Sequence, residues 1–206
     1  MSAQDRIRWD AIYRDLSHHP YPAPDPLLFD YTPPLNPGPE KRALDLAGGL
    51  GQNGLWLAAQ GYTVDIMEIS RVALSRARRE MAARNLRNVN LLQVDLDDLY
   101  MEDEQYDLIS VFRYLNRDVI RKAAATVAIG GRMIYETFNI NYLDIVPKFN
   151  TSFLVMPGEL KTFFAGWRIL HEADVSHISQ VVALRPEVLL SKRDTQPHAV
   201  VSDNTW

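Results

Sequence analysis

The chain has 206 residues, enough for one domain with a complete core and too few for two. It contains no cysteine, which excludes disulfides and thiolate metal sites. The net charge of −4 argues against a nucleic-acid partner, and no apolar run reaches the ~18 residues of a membrane span. The first residues lack the apolar core of a signal peptide, so we expect a cytoplasmic protein.

The first predicted element is a helix near the N-terminus, on which Trp9 and Tyr13 lie four residues apart and share a face. They form either part of a lid over a ligand or the packing face of the helix. Residues 18 to 40 contain most of the 12 prolines, so we expect an extended connector there. His18 and His19 are adjacent, which is not the spacing of convergent metal ligands, and we predict no metal site.

A glycine-rich turn follows the first predicted strand, which begins at Ala43 and carries one acid, Asp45. Residues 49 to 54 form a literal G-x-G-x-x-G, typical of dinucleotide sites. Its glycines permit positive φ and close approach to a ligand, and the next helix begins with unpaired N–H groups. A carboxylate four residues before Gly49 would repel a pyrophosphate and attract an ammonium or sulfonium group. The pattern therefore favours S-adenosylmethionine over NAD or FAD.

Acidic residues end the next two predicted strands as well. Glu68 ends the strand over 62–68, where a carboxylate suits a ribose diol. Both kinds of cofactor contain ribose, so Glu68 does not decide between them. Asp95 ends the strand over 89–95, where it can accept a hydrogen bond from an adenine amine. Three acids at successive strand ends are more specific than the glycine loop alone.

Ser70 is a favourable N-cap for the helix after the second strand. Leu74, Ala77 and Met81 give this helix an apolar stripe, which predicts that its arginines face outward. We interpret them as a solvated surface, with an anion- or RNA-binding patch as the alternative. These arginines are Arg71, Arg76, Arg78, Arg79, Arg84 and Arg87.

Two positions after the central strands are candidates for contact with a substrate. Arg113 and Tyr114 follow the predicted strand over 106–112, where a doubly wound sheet has its ligand crevice. A charge there is costly unless it is solvated or paired, so Arg113 either meets the substrate or pairs with Glu136. Glu136 and Thr137 lie near the end of the fifth predicted strand, over 132–138, in a similar position.

The remaining predicted elements complete an alternation of strands and helices. We predict helices over 53–60, 116–127 and 157–164, and a final antiparallel pair of strands over 167–172 and 176–185. The chain is then an α/β protein with a doubly wound, mostly parallel sheet. We expect a single domain over 1–190, with residues 1–40 as an N-terminal helix and connector able to form a lid, and a flexible tail over 191–206.

With these motifs the chain resembles class I S-adenosylmethionine-dependent methyltransferases over residues 5 to 186. Within them it is similar to the small bacterial tellurite-resistance and thiol-type methyltransferases. The resemblance rests on residues 8–13, 44–53, 68–70, 112–115, 130–131, 135–138 and 157–160. It implies a Rossmann-like sheet of seven strands, the last antiparallel, with the cofactor across its C-terminal edge.

The resemblance also implies where each part of S-adenosylmethionine binds. Asp45 and the loop from Gly49 to Gly51 would face the methionine, Glu68 the ribose, and Asp95 with Leu96 the adenine. Further positions counted as cofactor-binding are Ala47, Asn53, Ile69 and Phe112. The candidate substrate residues are Trp9, Tyr13, Arg113, Tyr114 and Glu136, and we assign no catalytic residue.

Three residues depart from the pattern of these families. Ala47 stands where glycine is usual, and it requires either a backbone that tolerates a Cβ or a remodelled loop. Glu68 stands in place of the more frequent aspartate and is long enough to reach a ribose. Asn116 replaces the histidine expected in the nearest families, so no role of that histidine carries over.

The predicted reaction is an in-line methyl transfer to a small molecule, for which the protein supplies proximity, alignment and exclusion of water. A thiolate or another chalcogen anion needs no general base, whereas a neutral amine or hydroxyl does. Thiols, chalcogen oxyanions, amines and carboxylates all stay open as acceptors. Two alternatives are a non-catalytic module that binds S-adenosylmethionine and an NAD-dependent oxidoreductase.

Overall fold

The fold is built on one sheet, seen in a computed structural model that describes residues 3–98 and 100–187. Strands and helices alternate through most of these residues. The strands are β1 (Arg42–Leu46), β2 (Thr63–Glu68), β3 (Val89–Gln93), β4 (Tyr106–Phe112), β5 (Val127–Phe138), β6 (Arg168–Val175) and β7 (Ile178–Leu184). The helices are α1 (Ala3–Asp15), α2 (Pro26–Tyr31), α3 (Gln52–Ala59), α4 (Arg71–Ala83) and α5 (Arg117–Thr126).

The seven strands lie in the order β3-β2-β1-β4-β5-β7-β6. The first five are mutually parallel, and β7 runs antiparallel to both β5 and β6. This confirms the predicted seven-stranded, mostly parallel sheet with its last strand antiparallel. Because parallel strands end on the same side, the carboxyl ends of β1 to β5 share one edge of the sheet.

Helices cover both faces of this sheet, which explains why its central strands are almost entirely apolar. On β1, Leu44 packs into one apolar cluster and the neighbouring Ala43 into the other, and both are fully buried. The first cluster includes Ile120 of α5, and the second includes Leu55 of α3. The alternation of side chains along a strand thus builds two cores from one sheet.

Helix α1 is fixed to the start of α4 by a carboxylate. The Ser70 hydroxyl donates to Asp10 Oδ1 at 2.6 Å, and the Val72 N–H donates to the same oxygen at 3.2 Å. Ser70 also accepts from the Ala73 N–H, so it is the N-cap that the sequence predicted. An acid at a helix N-terminus is favourable because unpaired N–H groups lie there.

The arginines of α4 and the turn after it are arranged as the apolar stripe predicted. Arg71, Arg78, Arg79, Arg84 and Arg87 are exposed. Arg76 is the exception: it is half-buried and donates to the Leu16 carbonyl at 2.8 Å. Most of this set is therefore a solvated surface.

Three local predictions require correction. The proline-rich connector contains a short helix, α2, because Pro26 suits the first helical position and Leu27 and Leu28 are buried beneath it. Residues 157–164 form only a 3-10 turn over Leu160–Phe164, after a positive φ of 76° at Gly158. Strand β5 begins at Val127, five residues earlier than predicted, through an irregular register against β4.

The predicted tail over 191–206 lies outside the described residues. Among the residues that are described, no helix combines the length and apolarity needed to cross a bilayer.

Candidate functional site

The loop between β1 and α3 is the centre of the site. Gly51 has a φ of +84° and is the N-cap of α3, and Gly49 has a φ of +56°. A Cβ added at Gly49 would lie 2.7 Å from the hydroxyl oxygen of Tyr13 on α1. Glycine is therefore required at Gly49 both for its backbone and for the close approach of α1.

Asp45 is buried under this loop, with 1% of its surface exposed. Its carboxylate accepts from the Gly54 N–H at 2.9 Å and from the Ser110 hydroxyl at 3.0 Å. Burial raises the pKa of Asp45 from its ordinary 3.8 to about 7, although both hydrogen bonds act in the opposite direction. A cation placed beside this carboxylate would favour its ionised form.

Glu68 ties the glycine loop to the end of β2. One carboxylate oxygen accepts from the Gly49 N–H at 3.0 Å, and the other accepts from the Ser70 N–H at 2.7 Å. Only 5% of Glu68 is exposed, and this burial raises the pKa of its carboxyl despite the backbone donors. The side chain thus reaches from its own strand to the loop on the neighbouring strand.

Ala47 occupies the position where the related families have glycine, and it adopts the left-handed conformation with a φ of +54°. Of the two outcomes considered for this residue, the loop keeps a glycine-like backbone instead of being remodelled. An L-residue in this conformation is strained because its Cβ crowds the following carbonyl oxygen.

The connector before β1 also closes onto the loop. The Asp25 N–H donates to Asn53 Oδ1 at 2.9 Å, and Asn53 Nδ2 donates back to the Asp25 carboxylate at 3.0 Å. The Tyr21 hydroxyl donates to the Leu50 carbonyl at 2.7 Å. Asp25 was missed by sequence reasoning, since a single acid among prolines carries no signal of the loop it will meet.

Three cavities lie side by side at this edge of the sheet. The glycine-loop cavity is about 360 Å³ and is lined by Asp45, Gly48, Gly49, Gln52 and Asn53 among others. The central cavity is about 100 Å³ and is lined by Tyr13, Glu68, Ile69, Phe112 and Tyr114 among others. The aromatic cavity is about 290 Å³, and its rings are Trp9, Tyr114, Phe138, Phe149 and Phe153.

Acceptor groups dominate the glycine-loop cavity. The carboxylates of Asp25 and Asp45 line it, and so does Gln52, whose buried side-chain oxygen has no hydrogen-bond partner among the residues that the structure describes. A buried acceptor without a donor is costly, so this cavity suits a ligand that brings N–H groups and positive charge. Ala47 and Phe112 line both this cavity and the central one.

Arg113 lines all three cavities. Its guanidinium forms an ion pair with Glu136 and lies 3.4 Å from a carboxylate oxygen of Asp25. It also lies over the ring of Phe138, 5.8 Å from the centroid. The two sequence interpretations of Arg113 are therefore compatible, since the paired side chain still faces the cavities.

Tyr114 lies between the central and aromatic cavities and lines both. Its hydroxyl oxygen is buried and, within residues 3–98 and 100–187, has no hydrogen-bond partner. Burial raises the pKa of Tyr114, and the negative charge of Asp95 adds to this effect. The hydroxyl therefore stays protonated and can both donate and accept a hydrogen bond.

Four predicted site residues lie outside the three cavities. Gly51 is buried, and a Cβ there would lie 3.0 Å from the Ala77 Cβ, so it serves the packing of the loop. Leu96 is fully buried, and Asp95 follows β3 in a turn where it accepts from the Asp97 N–H. Glu136 lies behind Arg113.

The aromatic cavity contains residues that the sequence did not single out. Phe149 and Phe153 belong to the segment after β5, and Phe149 packs edge-on against Phe138 at 6.4 Å between centroids. Their place in the cavity could not be predicted, because in the sequence an aromatic residue of an irregular segment looks the same as an ordinary core residue. Trp9 enters from α1, where it stacks on Tyr13 at 5.8 Å.

Comparison with known proteins assigns part of the chain to a family of domains. Residues 43–131, which run from β1 to the start of β5, match the sequence model of a methyltransferase domain. These residues form a methyltransferase domain. A search of curated protein sequences found no match to this methyltransferase.

Solved structures share the fold of the methyltransferase. One comes from work on the conversion of a disulfide bond into a thioacetal group during echinomycin biosynthesis (21% identity, 88% of this chain and 91% of that one, TM-score 0.67). A second is an S-adenosylmethionine-dependent methyltransferase from Mesorhizobium loti (18% identity, 78% and 96%, TM-score 0.61). A third is TehB from Haemophilus influenzae (20% identity, 71% and 58%, TM-score 0.62).

The residues present fit S-adenosylmethionine. The Gln52 oxygen and the buried Asp45 suit the ammonium end of the cofactor, and Arg113 is the guanidinium among the residues that line this cavity. Glu68 and Ile69 line the adjoining central cavity, where a diol and a flat apolar ring can be bound. S-adenosylmethionine supplies an activated methyl group when bound.

Proposed function

We propose that this methyltransferase acts on a small-molecule acceptor that binds in the aromatic cavity. The observation that carries the proposal is the position of this cavity beside the central one, with Trp9, Arg113 and Tyr114 lining both. A cavity of about 290 Å³ is near the lower end of the range for small-molecule sites. An acceptor bound there would meet the cofactor at these shared residues.

The same observations support specific roles for the cofactor residues. Glu68 is the candidate for the ribose hydroxyls, because it ends β2 and lines the central cavity. Asp45 and Gln52 are the candidates for the ammonium group. Ile69 and Phe112 contribute apolar walls to the central cavity, which would exclude water from the reacting atoms.

Methyl transfer needs little from the protein beyond the alignment of the acceptor with the methyl donor. Methyl transfer from a sulfonium is an in-line displacement whose leaving thioether needs no proton, so positioning supplies most of the acceleration. The aromatic walls and the Arg113 ion pairs would hold the acceptor and the cofactor in fixed relation. No residue is assigned as a general base.

A screen of small acceptors tests the proposal. The protein is incubated with S-adenosylmethionine and one acceptor from each open class: a thiol, a chalcogen oxyanion, an amine and a carboxylate. Formation of S-adenosylhomocysteine above the no-acceptor rate is the expected result, and mass spectrometry of the methylated product confirms it.

The outcomes separate the three candidate functions. Binding of S-adenosylhomocysteine with no turnover of any acceptor would favour the non-catalytic module. Binding of NADH in place of S-adenosylhomocysteine would favour the oxidoreductase and contradict the assignment of Asp45. Turnover of a folded nucleic acid or a protein, with none for small molecules, would refute the small-molecule acceptor.

A further inference from the structure

We infer that the acceptor is an amine attached to a flat apolar group, such as an arylalkylamine. This inference rests on the proposed function and specifies the class of its substrate. It assigns the apolar group to the rings of the aromatic cavity and the amine to the junction with the central cavity. Three features favour this class of acceptor: the rings of the aromatic cavity, the charges around it and the buried hydroxyl of Tyr114.

The rings form a wall that is already assembled. Phe138 stacks on Tyr142 at 4.1 Å between centroids, and Phe149 packs edge-on against both, at 6.4 Å and 5.0 Å. Trp9 faces the same cavity from α1, held by its stacking on Tyr13. Rings fixed in this way favour a flat apolar body and, through their faces, an organic cation.

The charges around the cavity disfavour an anion. Asp5 and Asp97 line it, and the carboxylates of Glu136 and Asp25 lie against Arg113 from behind. The guanidinium that an oxyanion would need is therefore already shared by two carboxylates. Transfer of a hydrated oxyanion into a ring-lined cavity is costly unless a cation is available to pair with it.

Arg8 is the second guanidinium of the cavity, and it does not offset this balance. It lies over the ring of Trp9, 5.9 Å from the centroid, on the exposed side of α1. Two carboxylates and two guanidinium groups thus line the cavity, and two further carboxylates pair with one of these guanidinium groups, so the charge around the cavity is negative. A protonated amine is attracted to such a site, whereas selenite, tellurite and carboxylates are repelled.

Tyr114 provides the point at which the nitrogen is held. Tyr114 lines both the cavity of the acceptor and that of the cofactor, and its buried hydroxyl oxygen has no hydrogen-bond partner among the described residues. The oxygen can accept a hydrogen bond from an amine N–H, which leaves the nitrogen lone pair directed elsewhere. We assign Tyr114 as a positioning residue for the acceptor.

The step balances without a further reactant. An amine that has lost its proton to water forms the new carbon–nitrogen bond with its lone pair. The bond between the methyl carbon and the sulfonium sulfur breaks, and its electron pair remains on the sulfur. The positive charge passes from sulfur to nitrogen, and the product then loses a proton to water.

Matched probes test the two parts of the inference. Calorimetric titrations into protein saturated with S-adenosylhomocysteine compare 2-phenylethylamine with 3-phenylpropionate, which has the opposite charge, and with ethylamine, which has no ring. We expect 2-phenylethylamine to bind about tenfold tighter than either. With S-adenosylmethionine, it should yield N-methylated product faster than selenite yields a methylated species.

Variants connect binding to the cavity. Phe153→Ala removes a ring that is 48% exposed, so the fold should tolerate it, and we expect about fivefold weaker amine binding. Asp97→Asn should weaken binding about threefold. Tyr114→Phe should lower kcat more than it raises KM for the amine. Phe29→Ala, at a ring 51% exposed on α2 and outside the cavities, is the control and should change nothing.

The outcomes distinguish a failure of the inferred acceptor class from a failure of the proposed function. Equal or tighter binding of 3-phenylpropionate would overturn the charge assignment, and equal binding of ethylamine would overturn the role of the rings. Methylation of selenite alone would refute the inference and leave the proposed function standing. Failure of S-adenosylhomocysteine to bind would remove the proposed function itself. Unchanged affinity in Phe153→Ala and Asp97→Asn would place the amine elsewhere.

Discussion

Ala47 and Asp45 show how much single residues contribute to this site. Both lie at the end of β1. The backbone of Ala47 is strained, and the carboxyl group of Asp45 is buried, which disfavours its charged form. The sequence predicted the acid, its role near a cation and the unusual alanine, because all three follow from a local motif. The left-handed backbone of Ala47 and the raised pKa of Asp45 depend on packing and could not be predicted.

Replacing Ala47 by glycine should stabilise the protein. Glycine would relieve the strain of a left-handed L-residue, which is about 1–2 kcal/mol. It would also make the unfolded chain more flexible, which lowers stability by about 0.4–1 kcal/mol. We expect a net gain of about 0.5–1 kcal/mol, or roughly 1–4 °C in Tm.

The matched control is Ala82→Gly, an exposed alanine in α4 with ordinary helical geometry. It should lower stability by up to about 1 kcal/mol. Thermal unfolding of both variants measures the contrast. Destabilisation by both substitutions would mean that Ala47 is not strained.

The pH dependence of stability should report the buried Asp45. Its pKa is about 7 in the folded protein and 3.8 ordinarily, so the folded state binds the proton more tightly between these values. Stability from this group is therefore fully present below about pH 4 and is lost as the pH rises through 7. Urea unfolding at pH 5 and pH 8 should show a loss that Asp45→Asn reduces. An equal loss in the variant would assign the titration to other groups.

Ligand binding should respond to Asp45 in the opposite direction. The ionised carboxylate attracts an ammonium group, so S-adenosylhomocysteine should bind more tightly at pH 7.5 than at pH 5.5. Titration calorimetry at both values measures the change. In Asp45→Asn the pH dependence should be weaker, since the asparagine cannot ionise.

At the scale of elements, the regular alternation was predictable and the irregular segments were not. Strands β1 to β4 and helices α3 to α5 follow from apolar periodicity, and α4 also follows from its predicted N-cap, Ser70. Asn116 caps α5 in the structure, a role that was not predicted. The prediction of an extended connector was wrong at α2. The many prolines pointed to extended chain, whereas two leucines are buried by a short helix there. Contacts between distant segments, such as Asp25 with Asn53, carry no local signal.

The attachment of α1 to α4 is an element-scale feature with a measurable effect. Asp10 accepts both hydrogen bonds that hold the two helices together, and α1 brings Trp9 and Tyr13 to the cavities. Asp10→Ala should therefore weaken S-adenosylhomocysteine binding by about tenfold or more, since a hydrogen bond to a charged group is worth about 1.5–3 kcal/mol.

Asp15→Ala on the same helix provides the comparison, because Asp15 is exposed and makes no capping bond. Its affinity should match that of the unmodified protein. Equal losses in the two variants would indicate a general effect of charge and not the attachment of α1.

For the whole molecule, binding of the cofactor product should appear as added stability. S-adenosylhomocysteine at ~100 times its dissociation constant stabilises a folded protein by ~2.7 kcal/mol. For a chain of this size, we expect a rise in Tm of roughly 5–10 °C. A Tm that does not change with ligand concentration would contradict cofactor binding. Adenosine alone, which lacks the methionine, should produce a smaller rise.

The residues proposed to bind the methyl donor and most of the rings proposed to bind the acceptor lie in different parts of the chain. Asp45, Glu68 and the glycine loop all lie within residues 43–131, the span of the methyltransferase-domain match. Of the five rings in the aromatic cavity, only Tyr114 lies in that span. Phe149 and Phe153, in the segment after β5, can therefore be exchanged without altering the residues proposed to hold the methyl donor, whereas α1 lines the cavities of both proposed ligands. An engineer who wants a new acceptor can begin with that one segment.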